Sequence, residues 1–159
     1  MYDFINSSIG WFHLIAALVS LATGSFVLLT TKGTEIHKKV GYLYGFSMIL
    51  VCGTAFGIYN LTGTFGIFHI LACVALATLM GGMIPLFLKN IQKGYKVFHL
   101  WFMYYSVLGL YAAFASELIV RIPEKPFYPM VGMATGVIFL IGTVFIFWKE
   151  RKWRHFFPD

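Results

Sequence analysis

The chain has 159 residues, of which 59% are hydrophobic, 19% aromatic and only 11% charged, with a mean hydropathy of +0.79. Soluble domains carry about a quarter charged residues, so this composition excludes an ordinary water-soluble globule and points to an integral membrane protein. The net charge of +6 is sorted by loop, which speaks for membrane topology and against a nucleic-acid partner.

In chain order, five apolar stretches cover about residues 9–31, 35–59, 65–88, 96–120 and 128–148. Each is long enough to cross ~30 Å of hydrocarbon at about 1.5 Å per residue. The first reads as a true span rather than a cleaved signal, because no basic segment precedes it and its apolar run continues too far. Transmembrane β-strands would be about half as long and would alternate in polarity. Thr31-Lys32-Gly33-Thr34 joins spans one and two, with Thr34 as N-cap and Glu35 in the first turn. Residues 60–64 with Gly63, 90–95 with Gly94, and 121–127 with Pro123 and Pro126 make the other connections. Such short connectors force antiparallel neighbours. The expectation is an all-α membrane protein: five transmembrane helices in an up-down bundle, forming a single transmembrane domain over 1–159. The four-helix core covers about 9–120, the fifth helix about 128–148, and a short basic tail 149–159.

Lys32, Lys38, Lys39, Lys89, Lys93, Lys96, Lys149, Arg151, Lys152 and Arg154 fall on one side of that topology. Only Arg121 and Lys125 fall on the other, beside Glu117 and Glu124. Positive residues stay inside, which predicts an outer N-terminus and a cytoplasmic C-terminus in a bacterial inner membrane. Trp11, Trp101, Trp148, Tyr42, Tyr44, Tyr95, Tyr104 and Tyr105 sit near span ends and read as interfacial aromatic belts. Cys52 and Cys73 read as reduced core residues rather than a disulfide.

Spans one and three resemble each other. Phe12-His13-Leu14-Ile15-Ala16-Ala17 is matched by Phe68-His69-Ile70-Leu71-Ala72-Cys73, and Leu21-Ala22-Thr23 by Leu76-Ala77-Thr78. Lys32-Gly33 precedes His37 as Lys93-Gly94 precedes His99. Residues 13 and 69 lie 56 apart, and 37 and 99 lie 62 apart. This pattern reads as a duplicated helical hairpin, spans 1–2 and 3–4, with span five outside the repeat. Span one should face span three, and span two should face span four.

Four of the five histidines therefore occur once per span in four consecutive spans. His13 and His69 belong near the outer face, His37 and His99 near the inner one, with ~25 Å between rows along the helix axis. An ionisable side chain inside a span is a functional candidate, although a histidine near a span end also caps or snorkels. His155, in the tail, reads as an interfacial surface residue. Two neutral imidazoles are good axial ligands for an electron-transferring haem iron. His13 and His69 would ligate an outer haem b, and His37 and His99 an inner one. Each would need its second ring nitrogen held by a carbonyl or hydroxyl. On this reading the chain would be a transmembrane oxidoreductase of the cytochrome b kind. It would pass electrons from a donor such as quinol or a small reductant, alone or as a homo-oligomer. A zinc site would need three or four converging ligands. The alternatives left open are a non-redox metal site or small-solute transporter using the histidines with Glu117, and a membrane scaffold in which they only pack. Glu117 and Arg121, an i, i+4 pair, would form an interfacial salt bridge.

Ile36-His37-Lys38-Lys39-Val40-Gly41-Tyr42-Leu43-Tyr44 resembles the His-(Arg/Lys)-x-x-Gly element of a bacterial membrane-protein family, domain of unknown function 2306. His99-Leu100-Trp101-Phe102-Met103-Tyr104-Tyr105-Ser106, with Arg121 downstream, resembles that family's later His…Met…Ser element, except that Leu100 stands where a basic residue is common. The resemblance spans most of the first four segments and implies no activity. The histidine layout is similar to that of cytochrome b561-type two-haem membrane cytochromes. That likeness implies one haem near each face, although five spans stand here instead of six.

Overall fold

The computed structural model describes residues 7–59, 63–88, 94–121 and 126–154. These residues form five helices: α1 (Ser8–Leu29), α2 (Glu35–Ala55), α3 (Ile67–Phe87), α4 (Tyr95–Arg121) and α5 (Phe127–Arg154). The helix ends follow local chemistry. Ser7 accepts a hydrogen bond from the Gly10 N–H to start α1. Thr34 does the same for α2, accepting from the His37 N–H at 3.2 Å. Gly33, at φ 81°, makes the left-handed turn between α1 and α2 that a residue with a Cβ resists.

Four helices are long and apolar enough to cross a membrane: α1, α3, α4 and α5. Of the five expected spans, α2 is the one that is not apolar enough to be counted with them. It is a continuous 21-residue helix, but Glu35, Lys38 and Lys39 occupy its first turns. Tyr42, Tyr44, Ser47, Thr54 and three glycines further lower its apolar content. The fifth helix runs past its expected end and continues through the basic residues to Arg154. His155, Lys89, Lys93, Glu124, Lys125 and the side chain of Arg121 lie outside the described residues, so the expected Glu117–Arg121 pair does too.

Packing places the helices at the corners of a bundle. α2 and α4 each pack against both α1 and α3, and α5 packs on α4. α1 and α3 thus stand at opposite corners, as do α2 and α4. The α1–α2 contact holds a buried hydrogen bond from Ser20 Oγ to Ser47 Oγ at 2.7 Å. The α3–α4 contact rests on absent side chains. A Cβ at Gly82 would lie 2.6 Å from Met103 Sδ and 3.2 Å from the Met103 backbone nitrogen. α5 docks on α4 through Tyr104, whose hydroxyl donates to the Gly142 carbonyl at 2.7 Å.

At mid-height the bundle is filled by Tyr44, Met48, Leu79, Met103, Val107 and Leu110. Across this layer the Tyr44 hydroxyl meets Ser106 Oγ at 2.9 Å, joining opposite corners. Residues 44 and 106 are separated by the same 62 positions as His37 and His99. Two residues with the same sequence offset as that histidine pair therefore meet inside the bundle.

Two aromatic assignments change. Tyr44 and Tyr104 are buried core residues rather than belt residues, because each hydroxyl finds a partner inside the bundle. Trp11, Tyr42 and Trp148 are exposed. Cys52 is buried, whereas Cys73 faces outward; both are free thiols. The outer surface carries Phe12, Phe46, Leu140, Ile141 and Phe147. An apolar exterior of this extent suits a lipid bilayer and would be an aggregation liability in water.

Candidate functional site

Among the described residues a cavity lies toward each end of the bundle, with the mid-height layer between the two. The first, about 420 Å³, is lined by the N-terminal halves of α1 and α3 and the C-terminal halves of α2 and α4. Among its lining residues are His13, His69, Tyr105 and Glu117. The second, about 330 Å³, lies at the opposite end and is lined by His37 and His99 with Lys32, Lys38 and Lys96. Both volumes are of ligand-pocket size. The four histidines are thus divided pair by pair between two separate chambers. No lysine or arginine lines the first cavity among the described residues, whereas three lysines line the second.

Hydrogen bonds place the ring proton of three of the four imidazoles, His13, His99 and His69. Thr54 Oγ1 donates to the Leu50 carbonyl at 2.6 Å. It therefore accepts from His13, whose Nδ1 lies 2.9 Å away. His13 carries its proton on Nδ1 and a lone pair on Nε2. His99 Nδ1 lies 2.8 Å from the Gly82 carbonyl, which can only accept, so His99 has the same tautomer. Both arrangements are of the kind that orients a ligating imidazole from behind.

His69 has the reverse arrangement. At the third position of α3, its Nδ1 accepts the backbone N–H of Gly66 at 3.0 Å. The proton of the neutral ring is consequently on Nε2. That Nε2 is buried and has no hydrogen-bond partner among the described residues. The ring is sandwiched between Tyr59 and Phe65, with centroid separations of 4.7 and 4.9 Å. His37 has a buried Nδ1 that likewise makes no hydrogen bond among the described residues. Its ring centroid lies 6.5 Å from that of His99, with the planes at 82°.

Charge is concentrated at the His37–His99 end. Lys32 Nζ donates to the Val27 and Leu28 carbonyls at 2.8 and 2.9 Å, closing the C-terminus of α1. Burial lowers its pKa to about 8. Lys38 pairs with Glu35 at 2.7 Å on the exposed face of α2.

Sequence reasoning named the histidines but missed Thr54 and Gly82. A hydroxyl 41 residues from His13 and a main-chain carbonyl carry no local mark. The one available signal was Gly81-Gly82 followed by Pro85 in an apolar span. Pro85 removes the N–H that would pair with the Gly81 carbonyl, and Gly82 lets α4 approach closely. Among the described residues no three His, Cys, Asp or Glu side chains gather in one shell that could hold a metal ion. Compared with protein-family models, curated proteins and solved structures, the chain matches none.

Proposed function

We propose that the chain is a membrane-embedded b-type cytochrome whose haem is held between His37 and His99. The observation that carries this reading is the pairing of these rings in one cavity, 6.5 Å apart, with the His99 proton fixed on Gly82. His37 and His99 would be the two side chains that hold the iron, their separation leaving room for one ion between the rings. A porphyrin brings its own four nitrogens, so two protein ligands suffice and no cluster of three is needed. The His37 Nδ1 is buried and makes no hydrogen bond among the described residues, which leaves that ring one polar contact short. Lys32, Lys38 and Lys96 line the same cavity and suit the two carboxylates that a haem carries.

Each residue has a distinct task. Gly82 holds the His99 imidazole in the tautomer that presents Nε2 as a lone pair. Of the lining lysines, Lys96 and Lys32 would neutralise the carboxylates of the bound group, Lys38 being paired with Glu35. Met103 and Tyr104, also lining the cavity, exclude water from the histidines. When bound, the group would supply a one-electron couple tuned by its two imidazoles and by burial. The basic end would face the cytoplasm of a bacterial inner membrane, by the sorting of lysines and arginines. Donor and acceptor would be a quinol or small reductant and a second electron carrier.

A second haem between His13 and His69 is a poorer fit. His69 presents a proton at Nε2 while its Nδ1 is engaged by Gly66. Ligation there would require breaking the contact that starts α3. No step is therefore assigned to that pair.

Haem stoichiometry tests the proposal. Protein purified from haem-sufficient cells should contain one haem per chain. His37→Ala and His99→Ala should each lower the content more than tenfold while the helix content stays unchanged. A folded, colourless wild-type protein would overturn the assignment.

A further inference from the structure

We propose that the slot between α3 and α5, the lateral part of the first cavity, holds one acyl chain of a membrane phospholipid. The inference does not depend on haem at the other end. α3 and α5 both pack on α4, yet no Cα of one comes within 8 Å of a Cα of the other among the described residues. The space between them belongs to the cavity of about 420 Å³ and is lined by Val74, Thr78, Gly109, Ala113, Thr135 and Phe139. α4 forms its floor, which is lowest at Gly109, where a Cβ would point into open space. Aromatic pairs stand at the two ends. Phe68 of α3 and Phe127 of α5 meet edge to face at 6.1 Å toward the outer end, and Tyr105 of α4 stacks on Phe139 of α5 at 6.1 Å nearer mid-height.

The occupant follows from the opening, the depth and the lining. Val74, near the middle of α3, lines the cavity and is 53% exposed on the outer surface of the bundle. The slot is therefore continuous with the apolar exterior that a bilayer covers, and hydrocarbon chains are what lies at that depth. From Tyr105 to Glu117, both on the cavity, α4 rises ~18 Å, close to the ~15 Å of hydrocarbon in one leaflet. The slot runs along the helices, as acyl chains run along the bilayer normal. Its lining gives a polar ligand little to bind. No lysine or arginine lines it among the described residues. Thr78 donates to the Ala75 carbonyl at 2.9 Å, and Thr135 is hydrogen-bonded to Ser116 at 3.2 Å. Elsewhere in the cavity His13 is bonded to Thr54, the His69 Nε2 is sealed from the surface, and Glu117 has an interaction of its own. A thin, flexible, apolar chain suits such a slot, and it restores the dispersion contacts that the lining would otherwise lack.

Photolabelling tests this on the full-length protein in phosphatidylcholine nanodiscs, one chain per disc. A small fraction of the lipid carries a diazirine midway along one acyl chain. After illumination, label should map to Gly109 or Ala112 on the slot floor, and also to Leu140 and Ile141 on the exposed face of α5. Gly109→Leu, which places a side chain in the open space of the floor, should abolish labelling there and leave that of Leu140 and Ile141 unchanged. Gly136→Leu, equally unobstructed but outside the cavity lining, should label like wild type. The inference is overturned if the wild-type floor stays unlabelled while Leu140 and Ile141 are labelled. Floor labelling that persists in Gly109→Leu, or is lost equally in Gly136→Leu, also overturns it. A protein that binds no haem would leave every one of these expectations in place.

Discussion

Three residues that bear no ionisable group, Thr54, Gly82 and Gly66, set the chemistry of His13, His99 and His69. The Thr54 hydroxyl is spent on its own helix, so it can only accept from His13. Thr54→Val keeps the shape but strands the His13 Nδ1–H. Such a change should cost about 1–3 kcal/mol, read as a lower unfolding midpoint in detergent. Lys32 offers a test by pH. Its pKa falls from 10.5 in the unfolded chain to about 8 on folding, so the unfolded state holds more protons between those values. Stability without a bound anion should therefore rise as pH increases from about 8 to 10.5, and Lys32→Met should flatten that rise. A midpoint that does not change with pH over this window in the wild type would refute the assignment. The presence of one histidine in each of four spans was legible in the sequence because an ionisable group in an apolar run stands out. The tautomers were not, since a main-chain N–H at Gly66 and a carbonyl at Gly82 have no side-chain signature.

Among the helices, α2 behaves differently from its neighbours. Length and periodicity made it look like the other spans. Its lysines, tyrosines and glycines make it less apolar, and its buried face of Tyr44, Gly45, Ser47, Met48 and Cys52 needs the bundle as its solvent. α2 alone should insert poorly, and should insert fully when expressed with α1 as a hairpin. Glycosylation-site mapping of the two fusions would decide this. Efficient insertion of α2 alone would show that it needs no partner. The α3–α4 contact gives a second test. Gly82→Leu would drive a side chain into Met103 and its backbone, which should cost about 1–3 kcal/mol and also displace the carbonyl that holds His99. Helix existence was legible from apolar runs and connectors. The burial of Tyr44 and Tyr104 was not, because a tyrosine near a span end reads the same whether its hydroxyl faces headgroups or meets Ser106 and Gly142.

For the whole molecule, the two hairpins together line a cavity toward each end. Each hairpin contributes one histidine to each end, and Tyr44 of one meets Ser106 of the other inside the bundle. The two ends nevertheless differ. One chamber is basic and holds two rings 6.5 Å apart; the other has no basic lining among the described residues and holds a proton donor without a partner. The central claim is that the basic chamber, and not its counterpart, binds haem. Its most direct test is the dithionite-reduced minus oxidised optical spectrum of the purified protein beside His99→Ala and His13→Ala. Sharp α and β bands should be present in the wild type, lost in His99→Ala and kept in His13→Ala. Bands that survive His99→Ala but vanish in His13→Ala would contradict the account.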